Sequence, residues 1–247
     1  MVEVKQTPAK SKFISRLLGK KDNYTSISEV IKKVKVYFDK PLRTLPAYDP
    51  KKDGPLVDFI VPDGFKEIER YWLQEPYNFV SILEDRRTRY YRLIEPSLTK
   101  FEKELLERIY EDFQDILVLG STNSISEKDA FLVGKALFLL ENYRAEISNA
   151  ALHKIIYYLK RNMLGYEKID PLLYDPYIED ISCDGADIPL FIYHTKYLNI
   201  ESNIYFKDDE LDALVIKMCQ LNNKHVSVSQ PIVDARLQEG SRLQAIL

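Results

Sequence analysis

The segment from residue 174 to residue 247 constrains the fold most, because strand-like and helix-like patterns alternate within it. Leu190–His194 and Asn203–Phe206 are short runs of aromatic and branched side chains, which predict strands. Asp208–Asn222 carries apolar residues at helical spacing, and Ser241–Leu247 alternates polar and apolar positions as a strand does. These elements predict a compact α+β unit. Because the sequence stops inside the last strand-like run, we expect the chain to be the front part of a longer protein.

The first hundred residues predict a helix and a β-hairpin. Ser26–Phe38 carries apolar side chains at the spacing of a helix that rests on a core. Five prolines interrupt Asp39–Gly64, which predicts an extended connection on the surface. Tyr71–Leu83 and Arg89–Glu95 predict two strands, with the charged Glu84–Arg87 at their turn. A proline in the first strand is expected to place it at a sheet edge or to interrupt it.

Helical patterns dominate the middle of the chain. Pro96–Leu119 shows the most regular apolar stripe, and Ala130–Asn142 and Ser148–Met163 predict a helical pair. Gly120–Ser126 contains residues that typically end one helix and begin the next, and it lies between the first two of these helical patterns. We therefore predict an α+β protein in three parts. These are a basic, flexible segment at residues 1–24, an α/β subdomain at residues 25–122, and a second subdomain at residues 123–247, in which a helical pair precedes a mostly antiparallel sheet.

Charge and cysteine content point to a soluble protein of a reducing compartment. The 247 residues carry a formal net charge of -3, but the first 40 contain ten Lys/Arg and four Asp/Glu, so this end is +6 and the remainder is -9. No apolar run reaches the roughly 18 residues of a membrane span, and no secretory signal is recognised. Two cysteines 36 positions apart and three single histidines argue against a disulfide scaffold or a zinc site.

The basic N-terminal segment contains a short amphipathic patch, Phe13–Leu18, flanked by lysines. Such a patch can lie on an anionic membrane surface, with Lys5–Lys40 supplying the attraction to the headgroups. The alternative is a frayed tail, because two helical turns are short for stable insertion. Binding of nucleic acid is not favoured, since no aromatic side chains interleave the lysines as stacking platforms.

No enzymatic motif is present in the sequence. The phosphate-binding pattern Gly-x-x-x-x-Gly-Lys-Ser/Thr is absent. Gly19-Lys20 has no second glycine upstream, and Gly134-Lys135 lies inside an apolar helical pattern, so neither can turn successive backbone N–H groups onto a phosphate. The serine-hydrolase elbow, the zinc-protease motif and the dinucleotide fingerprint are also absent. By itself, this chain is predicted to lack catalytic machinery.

The candidate metal ligands in the sequence are acidic, histidine and cysteine side chains. Asp175, Glu179, Asp180 and Asp184 alternate with apolar residues, which favours a helix cap and turn before a strand over a metal site. The other residues are predicted to be structural: His194 and His225 as structural or surface histidines, and Cys183 and Cys219 as small buried side chains. No metal site is therefore predicted.

Four sequence blocks occur in a fixed order near the C-terminal end. They are Asp175-Pro176-Tyr177-Ile178-Glu179-Asp180-Ile181-Ser182-Cys183-Asp184-Gly185, then Pro189–His194, then Ser202–Phe206, and finally Pro231–Leu237 followed by Gly240-Ser241-Arg242. Together they resemble the type II/IV secretion ATPases, which drive secretion systems, type IV pili and archaeal flagella. The likeness is greatest to the archaeal branch of the GspE-like proteins. Tyr71–Leu119 is similar, less specifically, to the extra N-terminal subdomain of the archaeal members.

The resemblance implies that residues 123–247 form the PAS-like N-terminal domain of such an ATPase. In the family, a RecA-like domain follows, binds ATP and Mg²⁺, and assembles with neighbouring subunits into a homohexamer. The family works in the cytoplasm, at the periphery of the membrane, against a polytopic membrane platform protein. The resemblance therefore implies that this fragment alone binds no cofactor and is inactive.

The resemblance also assigns roles to two arginines. In the family, the arginine of the Gly240-Ser241-Arg242 element lies at the nucleotide cleft between the two domains, so Arg242 is expected to act on the phosphates. Arg236 is the second candidate for this role, with Asp234 as its orienting partner. Glycine permits a tight turn that would aim the arginine off the sheet edge. The alternative is that both arginines are solvated strand residues.

A PAS-like module that senses a small molecule is the rival function. Its mark would be a closed cavity lined by aromatic side chains and a few converging polar groups. The 17 tyrosines and 11 phenylalanines of the chain permit such a cavity.

Overall fold

The computed structural model describes residues 44–86, 88–117, 125–227, 229, 231–237 and 240–246. The predicted basic segment, its amphipathic patch and the helix at Ser26–Phe38 lie outside these residues. The described chain forms two compact units, each treated by itself below. The first contains residues 44–47 and 98–151, and the second contains residues 48–97 and 152–247.

Helices and strands are grouped along the chain in an α+β order, as the sequence predicted. The helices are α1 (Pro50–Asp53), α2 (Lys100–Leu117), α3 (Ile125–Asn142), α4 (Asn149–Met163) and α5 (Asp208–Leu221), with a 3-10 helix at Glu167–Tyr174. The strands are β1 (Lys66–Gln74), β2 (Asn78–Asp85), β3 (Thr88–Ile94), β4 (Ile178–Ser182), β5 (Phe191–His194), β6 (Leu198–Ser202), β7 (Ile232–Arg236) and β8 (Arg242–Ile246). The α+β prediction with a mostly antiparallel sheet is thereby confirmed.

Strands from both ends of the second unit share one sheet. Its order is β1-β2-β3-β6-β5-β4, and all neighbours are antiparallel except β3 and β6. That parallel junction pairs Tyr90 with Glu201 and Tyr91 with Ser202. The sheet therefore spans the predicted boundary near residue 122, because the hairpin pairs with β6 and not only within its own subdomain.

The predicted strand Tyr71–Leu83 is interrupted at Pro76, as expected for a proline there, and forms two strands, β1 and β2, of which β1 lies at the sheet edge. Pro76 has no N–H to continue a ladder. The backbone instead turns, and the Tyr77 N–H donates to the Gln74 carbonyl at 2.7 Å. The predicted strand Asn203–Phe206 is wrong, since β6 ends at Ser202. Its alternating pattern reflects burial, because Ile204 and Phe206 lie in the core without regular strand pairing.

The proline-rich segment runs across the outer face of the β1–β3 hairpins. Apart from the short α1, residues 44–65 have no regular structure. Leu56 is buried, the Phe59 ring meets Phe79 edge-on at 6.3 Å, and the Phe65 ring meets Tyr90 at 5.6 Å. Apart from α1, the predicted extended connection is confirmed for residues 44–64, and it shields one side of the sheet from water.

The opposite side of the sheet builds the main core. Its buried members come from β2, β3, β5, β6, α5 and the 3-10 helix, and from connecting residues beside these elements and after β7: Val80, Ile82, Tyr91, Leu93, Tyr166, Ile169, Leu172, Leu190, Ile192, Ile200, Ile204, Phe206, Leu214, Met218 and Leu237. Apolar burial on this scale is the largest favourable contribution to folding. The core fixes α5, on which the β7–β8 hairpin rests.

The first unit is a helical pair. Thr99 caps the start of α2: its Oγ1 accepts from the Glu102 N–H at 3.2 Å, and the Glu102 carboxylate accepts from the Thr99 N–H at 2.7 Å. Buried Ile109 and Phe113 lie on the inner face of α2. The Tyr143 hydroxyl, just after α3, donates to Asp112 of α2. The predicted helices of this region are therefore confirmed in the described residues.

Replacing Asn203 with alanine is expected to lower the free energy of unfolding by roughly 1–3 kcal/mol. The Asn203 amide continues the sheet where the backbone pairing of β3 and β6 stops: Oδ1 accepts from the Leu93 N–H and Nδ2 donates to the Leu93 carbonyl, both at 2.9 Å. Alanine leaves the backbone N–H and the backbone carbonyl of the buried Leu93 without these bonds. Urea unfolding measures the loss, and faster amide exchange at Leu93 locates it. Asn199→Ala, at an exposed position of β6, is the control, expected to change stability by at most about 0.5 kcal/mol; equal effects of the two variants would contradict this account.

Candidate functional site

The β7–β8 hairpin presents an apolar face to α5 and a charged face to solvent. Val233 and Ala235 point inward and pack with the buried Cys219 of α5. The alternate positions of both strands point outward. In the register of the hairpin, Arg236 lies opposite Arg242. The strand period of two therefore places both predicted arginines on one exposed face.

The turn that precedes Arg242 depends on glycine. Gly240 has a φ of +105°, a backbone conformation that other residues rarely adopt. The Gly240 N–H donates to the Leu237 carbonyl at 3.0 Å, and the Leu237 N–H donates to the Ser241 carbonyl at 2.8 Å. A Cβ at Gly240 would meet no atom within 4 Å, so the requirement is conformational and not steric. The turn starts β8 so that Arg242 is its first residue.

Asp234 binds Arg242 and not the arginine on its own strand that the sequence suggested. The Arg242 Nε donates to Asp234 Oδ1 at 3.1 Å, and Nη2 donates to Oδ2 at 2.6 Å. The long arginine side chain reaches diagonally across the hairpin to do so. Both side chains remain more than half exposed. The hydrogen bond from the guanidinium lowers the pKa of Asp234, and the same bond raises the pKa of Arg242.

These residues line an open pocket of about 450 Å³. Its lining consists of Lys224, Asp234, Ala235, Arg236 and Arg242. Three cationic side chains and one carboxylate suit an anionic ligand such as a phosphate group. Sequence reasoning missed Lys224, which lies after the end of α5 and ten positions before Asp234. Only the packing of the hairpin on α5 brings it to the pocket, so no local sequence signal could have found it.

A second polar cluster lies buried between the strands of the large sheet. The Asp175 carboxylate, 5% exposed, accepts from the Tyr71 hydroxyl at 2.8 Å, the Tyr91 hydroxyl at 2.7 Å and the Tyr177 N–H at 2.9 Å. Burial, followed by the charge of Asp175, raises the pKa of Tyr71 and of Tyr91. Asp175 opens the first block of the secretion-ATPase resemblance, and here it joins β1 and β3 to the start of β4. Its saturated hydrogen bonding is that of a structural carboxylate.

His194 completes this cluster as a neutral imidazole. It is fully buried, and its Nδ1 accepts from the Lys196 N–H at 3.1 Å. The proton is therefore assigned to Nε2, which lies 3.2 Å from the Tyr71 hydroxyl oxygen and donates to it. Burial lowers the pKa of His194, against the opposing charges of Asp175 and Glu69. A second ring proton would break the bond from Lys196, so the structure favours the neutral form.

The stability of the protein is expected to fall as the pH is lowered through the ordinary histidine range, about pH 6.5. Because the pKa of His194 is lowered by folding, the unfolded chain takes up the proton at a higher pH than the folded chain does. The stabilising contribution is complete above that range and is lost as the pH falls towards the folded pKa. Urea unfolding at about pH 7.5 and about pH 5.5 measures the slope. His194→Gln should flatten it and the exposed His225→Gln should not; identical slopes in both variants would contradict the assignment.

The two cysteines, both predicted to be small buried side chains, differ in exposure. Cys219 is buried as predicted, whereas the prediction for Cys183 is wrong, since it is exposed beyond the end of β4. Within the described part of the chain, no three His, Cys, Asp or Glu side chains are grouped so that they could hold a metal ion. No helix among the described residues has the length and hydropathy of a membrane span.

The N-terminal part of the chain matches a known family model. Residues 25–97 match the model described as PilB3-like, N-terminal. Three curated relatives come from Methanocaldococcus jannaschii. Uncharacterized protein MJ1288 is 36% identical over 163 residues, which is 65% of this chain and 65% of the relative. Uncharacterized protein MJ0900 is 28% identical over 61% of this chain and 26% of its own length, and uncharacterized protein MJ0781 is 30% identical over 36% and 12%.

The chain thus spans less than two thirds of each of these relatives, and only 12% of uncharacterized protein MJ0781. The matched residues 25–97 include β1, β2 and β3, and therefore half of the large sheet. The PilB3-like match fits an N-terminal domain of the secretion ATPase family, in a type IV pilus or secretion context.

Proposed function

We propose that this chain is the N-terminal, partner-binding region of a hexameric secretion ATPase. The observation that carries the proposal is the basic pocket on β7–β8, because a pocket lined by Lys224, Arg236 and Arg242 suits the phosphates of a nucleotide. The PilB3-like match supports the same family. It covers residues 25–97, in the N-terminal part of the sequence, whereas the pocket residues lie in the C-terminal part. ATP hydrolysis in the whole protein would drive protein secretion or the assembly of a pilus or archaeal flagellum.

In this proposal, the nucleotide is shared between two domains. The RecA-like domain holds ATP and Mg²⁺, and the N-terminal domain adds Arg242 from outside the phosphate-binding loop. Phosphoryl transfer spreads negative charge over the γ-phosphate oxygens, and a guanidinium placed there stabilises that charge in the transition state. Because Arg242 stands on an exposed hairpin face, a neighbouring domain can approach it without unfolding either partner.

Apolar side chains beside the pocket support docking of that second domain. Ile232 and Ile246 pair across the hairpin on the same outward face, and they are 72% and 76% exposed. Large side chains this exposed gain free energy when a partner covers them. We propose that the RecA-like domain of the same or a neighbouring subunit covers this face. Movement of the N-terminal domain during hydrolysis would then be transmitted to a polytopic membrane platform protein. The basic N-terminal segment would lie near an anionic membrane surface.

Hydrolysis assays on two forms of the protein test the proposal. The full-length gene product is expected to hydrolyse ATP with Mg²⁺ and to form hexamers on light scattering. The 247-residue chain, which lacks a phosphate-binding loop, is expected to show no turnover under the same conditions. A full-length product that neither binds nor hydrolyses ATP would overturn the proposed function.

A further inference from the structure

The contact between Asp234 and Arg242 suggests a role for the carboxylate, provided that the proposed nucleotide function holds. We propose that Asp234 is a positioning residue, which holds one edge of the Arg242 guanidinium so that its other edge is presented to a phosphate. Asp234 would act through Arg242 and would not contact the nucleotide itself.

The geometry of the ion pair leaves part of the guanidinium available. A guanidinium has two edges that can each bind an anion with two hydrogen bonds, one formed by Nε and Nη2 and the other by Nη1 and Nη2. Both described bonds to Asp234 use the first edge, at 3.1 and 2.6 Å. The second edge is free of this carboxylate. The arginine can therefore be fixed by Asp234 and bind a phosphate at the same time.

Fixing the side chain in advance matters because Arg242 is exposed. Its side chain is 68% accessible, so packing alone does not select one rotamer. An arginine that must be ordered during the reaction loses part of its binding free energy to that ordering. Two hydrogen bonds to a residue of the neighbouring strand, which is itself fixed on α5 by Val233 and Ala235, remove much of this loss.

The charges of the pocket remain favourable for an anion with Asp234 in place. Lys224, Arg236 and Arg242 give three positive charges, and Asp234 removes one. The positive charge of Lys224 also lowers the pKa of Asp234, and its effect is smaller than that of Arg242. The carboxylate is thus neutralised by its neighbours and orients one of them. Arg236 lies opposite Arg242 in the register of the hairpin, so the behaviour of Arg242 can be compared with that of Arg236 in the same protein.

A double-mutant cycle in the full-length protein tests this role. Asp234→Ala is expected to lower kcat on the order of 10-fold or more, as a misplaced catalytic group does. In the Arg242→Ala background, the same change is expected to have almost no further effect, since its target is already gone. Asp234→Glu, which keeps the carboxylate, should retain more activity than Asp234→Asn. Equal losses in both backgrounds, or a higher kcat in Asp234→Ala, would overturn the inference.

A spectroscopic measurement on the 247-residue chain separates this inference from the proposed function. The Nε–H signal of Arg242 should be protected from solvent exchange in the wild type, and Asp234→Ala, which removes the acceptor, should abolish that protection while leaving the Arg236 signal unchanged. If Arg242→Ala keeps the wild-type kcat, the proposed function fails. The exchange of the Arg242 Nε–H in the 247-residue chain still shows whether Asp234 holds the guanidinium in place. If the Arg242 and Arg236 signals exchange equally fast in the wild type, the positioning role itself is wrong.

Discussion

Replacing Arg242 with alanine in the full-length protein is expected to lower kcat for ATP hydrolysis by on the order of 10³-fold. The reason is electrostatic: an arginine supplied from outside the phosphate-binding loop stabilises charge that develops on the γ-phosphate only in the transition state. The KM for ATP should therefore change much less than kcat. A steady-state assay with saturating Mg²⁺ and varied ATP separates the two parameters.

The controls for this prediction come from the same chain. Arg86→Ala removes an exposed arginine from the turn between β2 and β3 and should leave kcat unchanged. Arg236→Ala removes the arginine directly opposite Arg242 and is expected to have a smaller effect, because Asp234 does not hold it in place through the described bonds. An Arg242→Ala protein with wild-type kcat would exclude the transition-state role.

Replacing Asp175 with alanine is expected to lower the free energy of unfolding by roughly 3 kcal/mol or more. The change removes the acceptor of three hydrogen bonds at once, from Tyr71, Tyr91 and the Tyr177 N–H. Because the site is buried, water cannot simply replace the carboxylate, and a cavity remains among the tyrosines. Urea unfolding at neutral pH measures the loss.

Exposed Asp180, on the neighbouring β4, provides the matched control. Asp180→Ala should change stability by at most about 0.5 kcal/mol. Tyr91→Phe, which removes one of the donors but keeps the ring, should fall between the two. A stability of Asp175→Ala equal to that of Asp180→Ala would show that the buried network contributes nothing to the sheet.

Local patterns in the sequence were sufficient for most of the fold. The apolar stripe of α2 and the cap at Thr99 depend on neighbours three or four positions away, and such signals can be read along the chain. The α+β class follows from the order of these elements. The split of the first predicted strand at Pro76 was left open by the sequence, since a proline can either mark an edge or end a strand.

Long-range contacts explain what the sequence could not predict. The partners of Asp175 lie 104 and 84 positions away, so its place in a buried network could not be distinguished from a helix cap. The pairing of β3 with β6 likewise joins segments more than 100 residues apart. In the site, the arginines were predicted from the resemblance, whereas the diagonal contact of Asp234 and the presence of Lys224 required the hairpin geometry.

The distance between the Arg242 guanidinium and the γ-phosphate of a bound, non-hydrolysable ATP analogue tests the central claim most directly. In a structure of the full-length protein with Mg²⁺, the account predicts a hydrogen bond of about 3 Å in at least one subunit, with Asp234 still on the opposite edge of the arginine. An analogue bound in every subunit with Arg242 directed into solvent would contradict it.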